Sequence, residues 1–316
     1  MVTPESSSVF TRLPAPASRT RLVLGFLVVY IVWGSTYLAI RWGVESIPPF
    51  VMGGVRFLIA GGLMYGYSRW KGAAAPSALE WRNSAIVGFL LLFVANGAVS
   101  WAAQRVGSGM SSLLVATVPL WLVLCEVVQG KRHRAPTWAG VTLGLVGVAL
   151  LVLPANGSIA SAAIEPAGAI VLALGSLSWT IGSLYSRTAT LAKPAALAIS
   201  MQMLTGGVLL MLLSIASGEL SHLNREAITM ASMYSLAYLI VFGSLIGFST
   251  YMWLLSVASP TAVGTYAYVN PVVAVLLGVG LAGEQMPPQA LVAMLVIVCG
   301  VAMVSLGGQF GRRRPR

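Results

Sequence analysis

Aspartate is absent from this 316-residue chain, and its eight acidic residues are all glutamates. The carboxylate clusters of Mg²⁺ and Ca²⁺ sites and the aspartates of phosphoryl-transfer centres are therefore missing. Charge of either sign is scarce, because charged residues make up 9% of the chain, against about 25% in soluble domains. The chain lacks the polar surface that a soluble protein needs.

Enzyme signatures and cysteine pairs are missing as well. The sequence contains no GxxxxGK[S/T] phosphate loop, no HExxH motif and no GxSxG motif. The two cysteines, Cys125 and Cys299, fall within apolar runs and form neither a disulfide pattern nor a metal-binding pattern. We expect no enzymatic activity, no metal and no cofactor.

Long apolar runs fill most of the chain, which is 57% hydrophobic with a mean hydropathy of +0.86. About 20 apolar residues are needed to cross the hydrocarbon core of a bilayer. The sequence predicts an all-α integral membrane protein with ten transmembrane helices, and residues 1–21 and 308–316 as a disordered and a basic tail. The predicted spans are 22–40, 49–68, 84–103, 108–129, 136–153, 168–186, 194–216, 231–256, 260–282 and 288–307.

The two halves of the chain repeat each other. WGSTYLAIR at 33–41 recurs as WTIGSLYSR at 179–187, and Gly61-Gly62 recurs as Gly206-Gly207. Such self-similarity indicates a duplication, with repeats at 22–153 and 168–307. Five spans per repeat place the second copy upside down in the bilayer, and two inverted five-helix repeats are typical of secondary transporters.

Basic residues are distributed unequally between the predicted loops, although the net charge of +11 might suggest a nucleic-acid partner. Fifteen of the nineteen lysines and arginines fall on the side of the two termini, and three, Arg41, Arg105 and Arg225, fall on the other. The positive-inside rule then places both termini in the cytoplasm of a multi-pass protein. Because no folded basic surface remains, we expect no nucleic-acid partner.

The residues TAVGTYAYVNPVVAVLLGVGLAGEQMPPQALVAMLVIVCGVAMV, at 261–304, resemble the last two helices of the EamA family in the drug/metabolite transporter superfamily. IVWGSTYLAIRWGVESIPPFVMGGVRFLIAGG and SWTIGSLYSR resemble its first, second and sixth helices. The resemblance covers about 22–307 and is greatest to YedA-like bacterial members. It implies ten helices in two inverted repeats and export across the inner membrane. The family's Gly283-Glu284 has no counterpart in the first half, so no role of that glutamate extends there.

Polar and aromatic side chains inside the spans mark a candidate substrate cavity, because polar groups avoid lipid. Packing between helices is the alternative interpretation. Trp33 and Trp179 are equivalent in the repeat and lie near mid-span, and the resemblance favours a substrate-lining role because the family's first and sixth helices line its cavity. The candidate substrate-binding residues are Trp33, Tyr37, Asn96, Ser100, Trp179, Ser183, Tyr266 and Asn270.

Two prolines and three charged residues are further candidates. Pro119 and Pro271 are expected to interrupt spans four and nine as hinges or as static kinks. Arg56, within span two, would bond carbonyls between helices or contact an anionic substrate group. Glu126 would form an ion pair with the loop that follows it or act in coupling, and Glu284 would be solvated or cap span ten.

These features predict an inner-membrane exporter of small organic metabolites, amino acids or similar amphipathic solutes, that works by alternating access. The alternatives are a multidrug/proton antiporter and a membrane sensor or assembly protein that does not transport. The expected partners are a small-molecule substrate and the lipid bilayer, with the chain as a monomer or homodimer. Because Glu126 is the one glutamate within a span, we expect facilitated diffusion rather than proton coupling.

Overall fold

The computed structural model describes residues 18–128, 130, 133, 135–152, 165–258, 260–284 and 288–310, and these residues form helices and turns with no strand. The helices are α1 (Arg19–Gly43), α2 (Pro49–Trp70), α3 (Ala78–Ala102), α4 (Ser108–Val115), α5 (Val118–Val128), α6 (Ala135–Val152), α7 (Pro166–Ser186), α8 (Ala195–Ala216), α9 (Met230–Val257), α10 (Pro260–Val263), α11 (Tyr266–Ala282) and α12 (Pro288–Phe310). A short 3₁₀ turn, Arg225–Ala227, precedes α9.

Seven stretches of the described chain are long and apolar enough to cross a membrane. They are Arg19–Gly43, Pro49–Trp70, Ala78–Ala102, Ser108–Cys125, Pro166–Ser186, Ala195–Ala216 and Met230–Val257, and the shorter apolar helices Val269–Ala282 and Pro288–Gly300 follow. The predicted all-helical, membrane-spanning class is confirmed. Of the tails predicted at 1–21 and 308–316, residues 1–17 and 311–316 lie outside the described residues, as does the side chain of Glu126. The prediction is wrong for residues 19–21 and 308–310, which belong to α1 and α12.

Helix pairs pack in an arrangement that reflects the sequence repeat. α2 packs along α8, and α6 packs along α12, and each pair joins helices that are equivalent in the two halves. α1 packs against α11 and α9, while α7 packs against α4, α5 and α3. Each half therefore contributes its first helix to the centre of the bundle, against helices from the other half.

The described loops and helix ends gather at two opposite ends of the bundle. At one end Arg41 donates to the carbonyl of Ala103, and Arg105 lies 3.8 Å from the Glu165 carboxylate. At the other end Asn83 donates to the carbonyl of Thr190 at 2.9 Å. Asn83 and Ala103 lie near opposite ends of α3, so these two sets of contacts mark the two ends of the bundle.

Two glutamates from the second half bind the N-termini of helices in the first half. Glu219 accepts hydrogen bonds from the backbone N–H groups of Phe50 and Val51, at 2.9 and 3.3 Å. Partial burial raises the pKa of Glu219, and these two N–H groups oppose the rise. The carboxylate of Glu219 thus satisfies N–H groups that α2 leaves unpaired at its start.

Glu284 makes the equivalent contact at the start of α4. Its carboxylate accepts hydrogen bonds from the N–H groups of Ser108 and Gly109 at 2.8 and 3.3 Å. The expectation that Glu284 is solvated or caps span ten is wrong, because it caps span four from a distant loop. Sequence spacing alone does not report a cap that comes from another part of the chain.

The fourth predicted span is broken at Ala116–Thr117, immediately before Pro119. Pro119 is the second residue of α5, a position where the missing N–H of proline is tolerated. The ninth predicted span is broken at Gly264–Thr265, whereas Pro271 lies inside α11. The expectation that Pro271 interrupts its span is therefore wrong. The main break precedes it, where the hydroxyl of Thr265 bonds to the carbonyl of Ala262 at 2.5 Å.

Glycines allow the paired helices to approach closely. A Cβ atom on Gly61 of α2 would lie 3.0 Å from the backbone N of Leu204 and 3.0 Å from the carbonyl oxygen of Ser200, both on α8. A Cβ on Gly300 of α12 would lie 2.5 Å from the backbone N of Gly144 on α6. Small residues at such contacts are the usual basis of helix association in membranes.

The neighbouring glycines Gly61 and Gly62 provide a direct test of this packing. Gly61→Ala should lower the free energy of unfolding by about 1–3 kcal/mol, because the backbone of α8 has to move away. Gly62→Ala should be neutral or stabilising by up to about 1 kcal/mol, since nothing lies within 4 Å of its added Cβ. Thermal unfolding in detergent measures both. Equal melting temperatures for the two variants would contradict the close approach.

Candidate functional site

A cavity of about 80 Å³ lies where α1, α2, α3, α7, α9 and α11 meet, with Val115 of α4 at one wall. Its wall is largely apolar and carries a few polar groups. The lining residues are Trp33, Thr36, Tyr37, Ile40, Arg56, Phe57, Leu92, Ala95, Asn96, Val99, Val115, Leu172, Gly175, Ser176, Trp179, Gly243, Phe248, Tyr266 and Asn270. We call this space the central cavity.

The structure brings most of the sequence-predicted site residues to the central cavity. Those that line it are Trp33, Tyr37, Arg56, Asn96, Trp179, Tyr266 and Asn270. Ser100 is buried on α3 but is not part of the lining, and Ser183 lies behind Trp179. The lining also excludes Pro119 and Pro271.

Aromatic rings from both halves of the chain form one cluster at the cavity. Trp33 and Trp179, the equivalent tryptophans of the repeat, meet edge to face with ring centres 5.4 Å apart. Trp33 also lies 4.8 Å from the ring of Tyr251 and 5.6 Å from that of Tyr266. Such pairs stabilise a structure beyond the area that they bury. The cluster therefore holds α1, α7, α9 and α11 together.

Hydrogen bonds fix the orientation of these rings. The indole N–H of Trp179 donates to the hydroxyl of Tyr251 at 3.0 Å, and Ser183 shares a 2.9 Å hydrogen bond with the same hydroxyl. The indole N–H of Trp33 donates to the carbonyl of Gly243 at 3.4 Å. The indole N–H groups of both tryptophans are therefore bonded within the protein.

Tyr251 is the central residue that sequence reasoning missed. It lies on α9 just after the segment Leu239–Phe248, in which the helix widens to the π form. A π segment bonds i to i+5 and shifts the phase of all later side chains, so Tyr251 does not fall on a face with 3.6-residue periodicity. The equivalent helix α3 widens at Phe89–Asn96, where Asn96 donates to the carbonyl of Leu91 at 2.9 Å.

Arg56 is buried at the cavity wall with 5% of its surface exposed. Its Nε donates to the hydroxyl of Ser244 at 2.7 Å, and its guanidinium carbon lies 4.8 Å from the centre of the Phe57 ring. Within the described chain Arg56 has no carboxylate partner. A Cβ on Gly243 would lie 2.8 Å from a terminal nitrogen of Arg56. The guanidinium is thus held by a hydroxyl and a ring, with a formal positive charge beside the cavity.

Asn270 ties α11 to α1 at the opposite wall. With its amide nitrogen turned toward them, Asn270 donates to the carbonyls of Tyr30 and Tyr266 at 3.2 and 3.3 Å. The hydroxyl of Tyr30 lies 2.6 Å from that of Thr265, beside the break before α11. Asn270 therefore lines the cavity, as a substrate-binding residue would, and also joins two helices, as a packing residue would.

The described lining contains no carboxylate and no histidine. Its chemistry is that of aromatic rings, one guanidinium, an asparagine amide and hydroxyl groups. Ligand sites in proteins are commonly apolar with a small number of oriented polar groups. The central cavity has this character.

Comparison with known proteins agrees with the resemblance seen in the sequence. The model of the EamA-like transporter family matches residues 20–153 and 166–306. The inner membrane transporter YedA of Escherichia coli (strain K12) is 42% identical over 289 residues, which is 91% of each chain. The chain belongs to the EamA-like transporter family.

More distant matches cover nearly the whole length of this chain. The transporter YoaV of Bacillus subtilis (strain 168) is 23% identical over 93% of this chain and 99% of its own. A solved crystal structure superimposes with a TM-score of 0.64 at 22% identity, over 93% of this chain and all of its own. At 22% identity, this likeness supports only the fold of the EamA-like chain and not its function.

The hydroxyl of Tyr251 offers a test of the ring cluster. Tyr251→Phe should lower the free energy of unfolding by about 1–3 kcal/mol, because it leaves the buried indole N–H of Trp179 and the Ser183 hydroxyl without their partner. Tyr234→Phe, at a tyrosine that is 69% exposed, should change it by less than about 0.5 kcal/mol. Thermal unfolding in detergent distinguishes them. A Tyr251→Phe protein as stable as the parent would show that the hydroxyl does not organise the cluster.

Proposed function

We propose that the chain exports small organic solutes with a carboxylate group, amino acids or similar amphipathic metabolites, across the inner membrane by alternating access through the central cavity. The observation that carries the proposal is Arg56, a guanidinium buried beside an aromatic wall within a membrane-spanning helix. A charge at such depth costs about 2.5–3.5 kcal/mol on insertion scales. An anionic substrate group would offset that cost when it binds.

The size of the central cavity supports alternating access. Ligand pockets usually measure about 300–1,000 Å³, whereas this cavity measures about 80 Å³. A solute of amino-acid size enters only if the surrounding helices separate. The breaks at Ala116–Thr117 and Gly264–Thr265 are positions where α4 and α11 could tilt relative to their neighbours, and discontinuous helices are typical of transporter sites.

The membrane topology in this proposal has ten spans in two inverted repeats, with both termini in the cytoplasm. The support is the uneven distribution of basic residues, the paired packing of equivalent helices and the match of the family to two stretches of the chain. The inner-membrane location is supported by the name of the YedA relative. The end of the bundle that carries Asn83 and Thr190 would then face the cytoplasm.

Transport in proteoliposomes tests the proposed function. The purified protein should carry one or more of the twenty amino acids. For leucine, Arg56→Gln should lower kcat/KM by at least about tenfold, because a hydrogen bond to a charged group contributes about 1.5–3 kcal/mol. Transport of leucinamide, which lacks the carboxylate, should change less than about threefold.

Arg82→Gln is the matched control, since Arg82 is exposed near the start of α3 and is not part of the cavity lining. Equal losses for leucine and leucinamide would make Arg56 structural. Flux of hydrophobic cations in preference to amino acids would favour the multidrug alternative, and no flux of any solute would favour the sensor alternative.

Energy coupling is the second point that transport measurements decide. The described lining of the central cavity contains no carboxylate that could exchange a proton, so we propose facilitated diffusion. In the presence of an imposed pH gradient, the protein should equilibrate solute without accumulating it, and Glu126→Gln should leave the flux within about twofold of the parent. Proton-driven accumulation that Glu126→Gln abolishes would instead make Glu126 the coupling residue.

A further inference from the structure

The guanidinium of Arg56 meets the π segment of α9 at two adjacent residues, Gly243 and Ser244. Its Nε donates to the hydroxyl of Ser244 at 2.7 Å, and Ser244 has 0% of its surface exposed. A Cβ on Gly243 would lie 2.8 Å from Nη2 of Arg56. Both contacts join the first half of the chain to the second, because Arg56 belongs to α2 and its two partners belong to α9.

The two terminal nitrogens of Arg56 form no hydrogen bond to the described part of the chain. Neither nitrogen is sealed inside the protein, in contrast to the unpaired hydroxyls of Ser68 and Ser84, which are buried. Arg56 lines the central cavity, and 5% of its surface remains exposed. The guanidinium therefore keeps N–H donors available to a solute in this cavity.

The bond to Ser244 decides which edge of the guanidinium remains free. The group is a planar fork that binds a carboxylate through two parallel hydrogen bonds. Because Nε is occupied by Ser244, the free edge is the one between the two terminal nitrogens. A carboxylate has two acceptor oxygens for this edge, whereas a carboxamide has one.

Gly243 leaves room for the end of the Arg56 side chain because it has no side chain of its own. An added Cβ would also lie 3.2 Å from Cγ2 of Thr36, so a methyl group at this position would displace the guanidinium. The carbonyl of Gly243 accepts the indole N–H of Trp33 at 3.4 Å. The same residue of α9 thus places the guanidinium beside the aromatic wall.

The equivalent helix contact in the other half of the bundle has a different composition. α2 packs against the π segment of α9, and α8 packs against the π segment of α3. In the register of the repeated glycine pairs, Met201 occupies the position of Arg56, and it has 0% of its surface exposed. The π segment of α3, FLLLFVAN, contains neither glycine nor serine. Packing between these helices therefore does not require an arginine held by a serine, and a binding role explains the difference better.

We propose that Ser244 and Gly243 position Arg56 to bind a carboxylate at the edge between its two terminal nitrogens. Ser244 fixes the plane of the guanidinium, and Gly243 leaves the terminal nitrogens their place. Ser244 is not part of the cavity lining, so it acts through Arg56 and not through contact with the solute. The inference rests on the proposed function for the kind of solute, but carboxylate binding can be measured without transport.

A purely structural role of the same contact predicts different results. A serine that only joins α2 to α9 would change stability and would affect the binding of every solute alike. A residue that positions Arg56 changes the affinity for a solute with a carboxylate and spares a matched solute without one. L-Leucine and leucinamide are such a pair.

Equilibrium binding of radiolabelled L-leucine to the purified protein in detergent tests the role of Ser244. The parent protein should bind leucine saturably, and Ser244→Ala should raise the Kd about fivefold, because the guanidinium loses the acceptor that orients it. The Kd of leucinamide, measured by competition, should change less than about twofold. In an Arg56→Gln background, Ser244→Ala should change the Kd of leucine less than about twofold, since its effect passes through the guanidinium.

Gly243→Ala tests the space beside Nη2 of Arg56. The new methyl group meets the end of a flexible side chain, so the melting temperature should stay within about 2 °C of the parent value. The displaced guanidinium should raise the Kd of leucine about fivefold. Because the carbonyl of Gly243 is retained, the bond to Trp33 is not removed by this substitution.

Ser214→Ala and Gly280→Ala are the matched controls. Ser214 is buried on α8, and its hydroxyl bonds to the carbonyl of Met211 in its own helix. A Cβ on Gly280 of α11 would have nothing within 4 Å. Neither residue lines the central cavity, so both variants should leave the Kd of leucine within about twofold of the parent value.

Four results would overturn the positioning role. The first is a parent protein that binds no leucine saturably. The second is an equal rise in the Kd of leucine and leucinamide for Ser244→Ala with a lower melting temperature, which makes the serine a structural connection. The third is the full effect of Ser244→Ala in the Arg56→Gln background. The fourth is an unchanged Kd of leucine in both Ser244→Ala and Gly243→Ala.

Flux measurements in proteoliposomes keep this inference separate from the proposed function. If leucine binding depends on Ser244 and Gly243 as expected but no flux is seen, the positioning of Arg56 stands and transport fails. If leucine is transported but Ser244→Ala leaves the ratio of kcat/KM for leucine and leucinamide unchanged, transport stands and the positioning role fails.

Discussion

The need to satisfy every polar group away from water is the constraint on which the rest of this structure depends. In hydrocarbon an unmade hydrogen bond has no solvent to replace it, and the described bundle places its polar side chains against one another. Arg56 bonds to Ser244, Trp179 bonds to Tyr251, and Asn270 turns to backbone carbonyls of two helices. These bonds, together with the rings around Trp33, decide which helices meet at the centre.

The same constraint explains how the broken helices remain stable. A helix that starts inside or at the edge of the bilayer exposes N–H groups that need acceptors. Glu284 supplies a carboxylate to the start of α4, and Glu219 supplies one to the start of α2. Both glutamates come from loops of the second half, so each cap also joins the two halves at one end of the bundle. Acidic residues that look like solvated loop residues in the sequence are structural connections between repeats.

The sequence predicted the fold class and many residues of the cavity wall, because both follow from local patterns. Apolar runs predict membrane-spanning helices, and the repeated tryptophan motif predicted Trp33 and Trp179, which meet at 5.4 Å. The features that the sequence did not predict depend on the rotation of side chains about the helix axis and on contacts with distant parts of the chain. The π segment of α9 moves Tyr251 onto the ring cluster, the break of the ninth predicted span lies before Pro271, and the cap of α4 comes from Glu284. Ser100 has suitable chemistry but lies outside the lining, because helix rotation is set by packing.

The hydrogen bonds of Trp179 and Ser183 to the hydroxyl of Tyr251 add a polar element to the largely apolar surroundings of the central cavity. Movement of Trp179 away from Tyr251 would leave an indole N–H and a phenol without these partners. Under the proposed function, a solute that bonds to these groups offsets the loss, whereas an apolar molecule does not. The polarity of this group would then favour solutes that carry hydrogen-bonding groups.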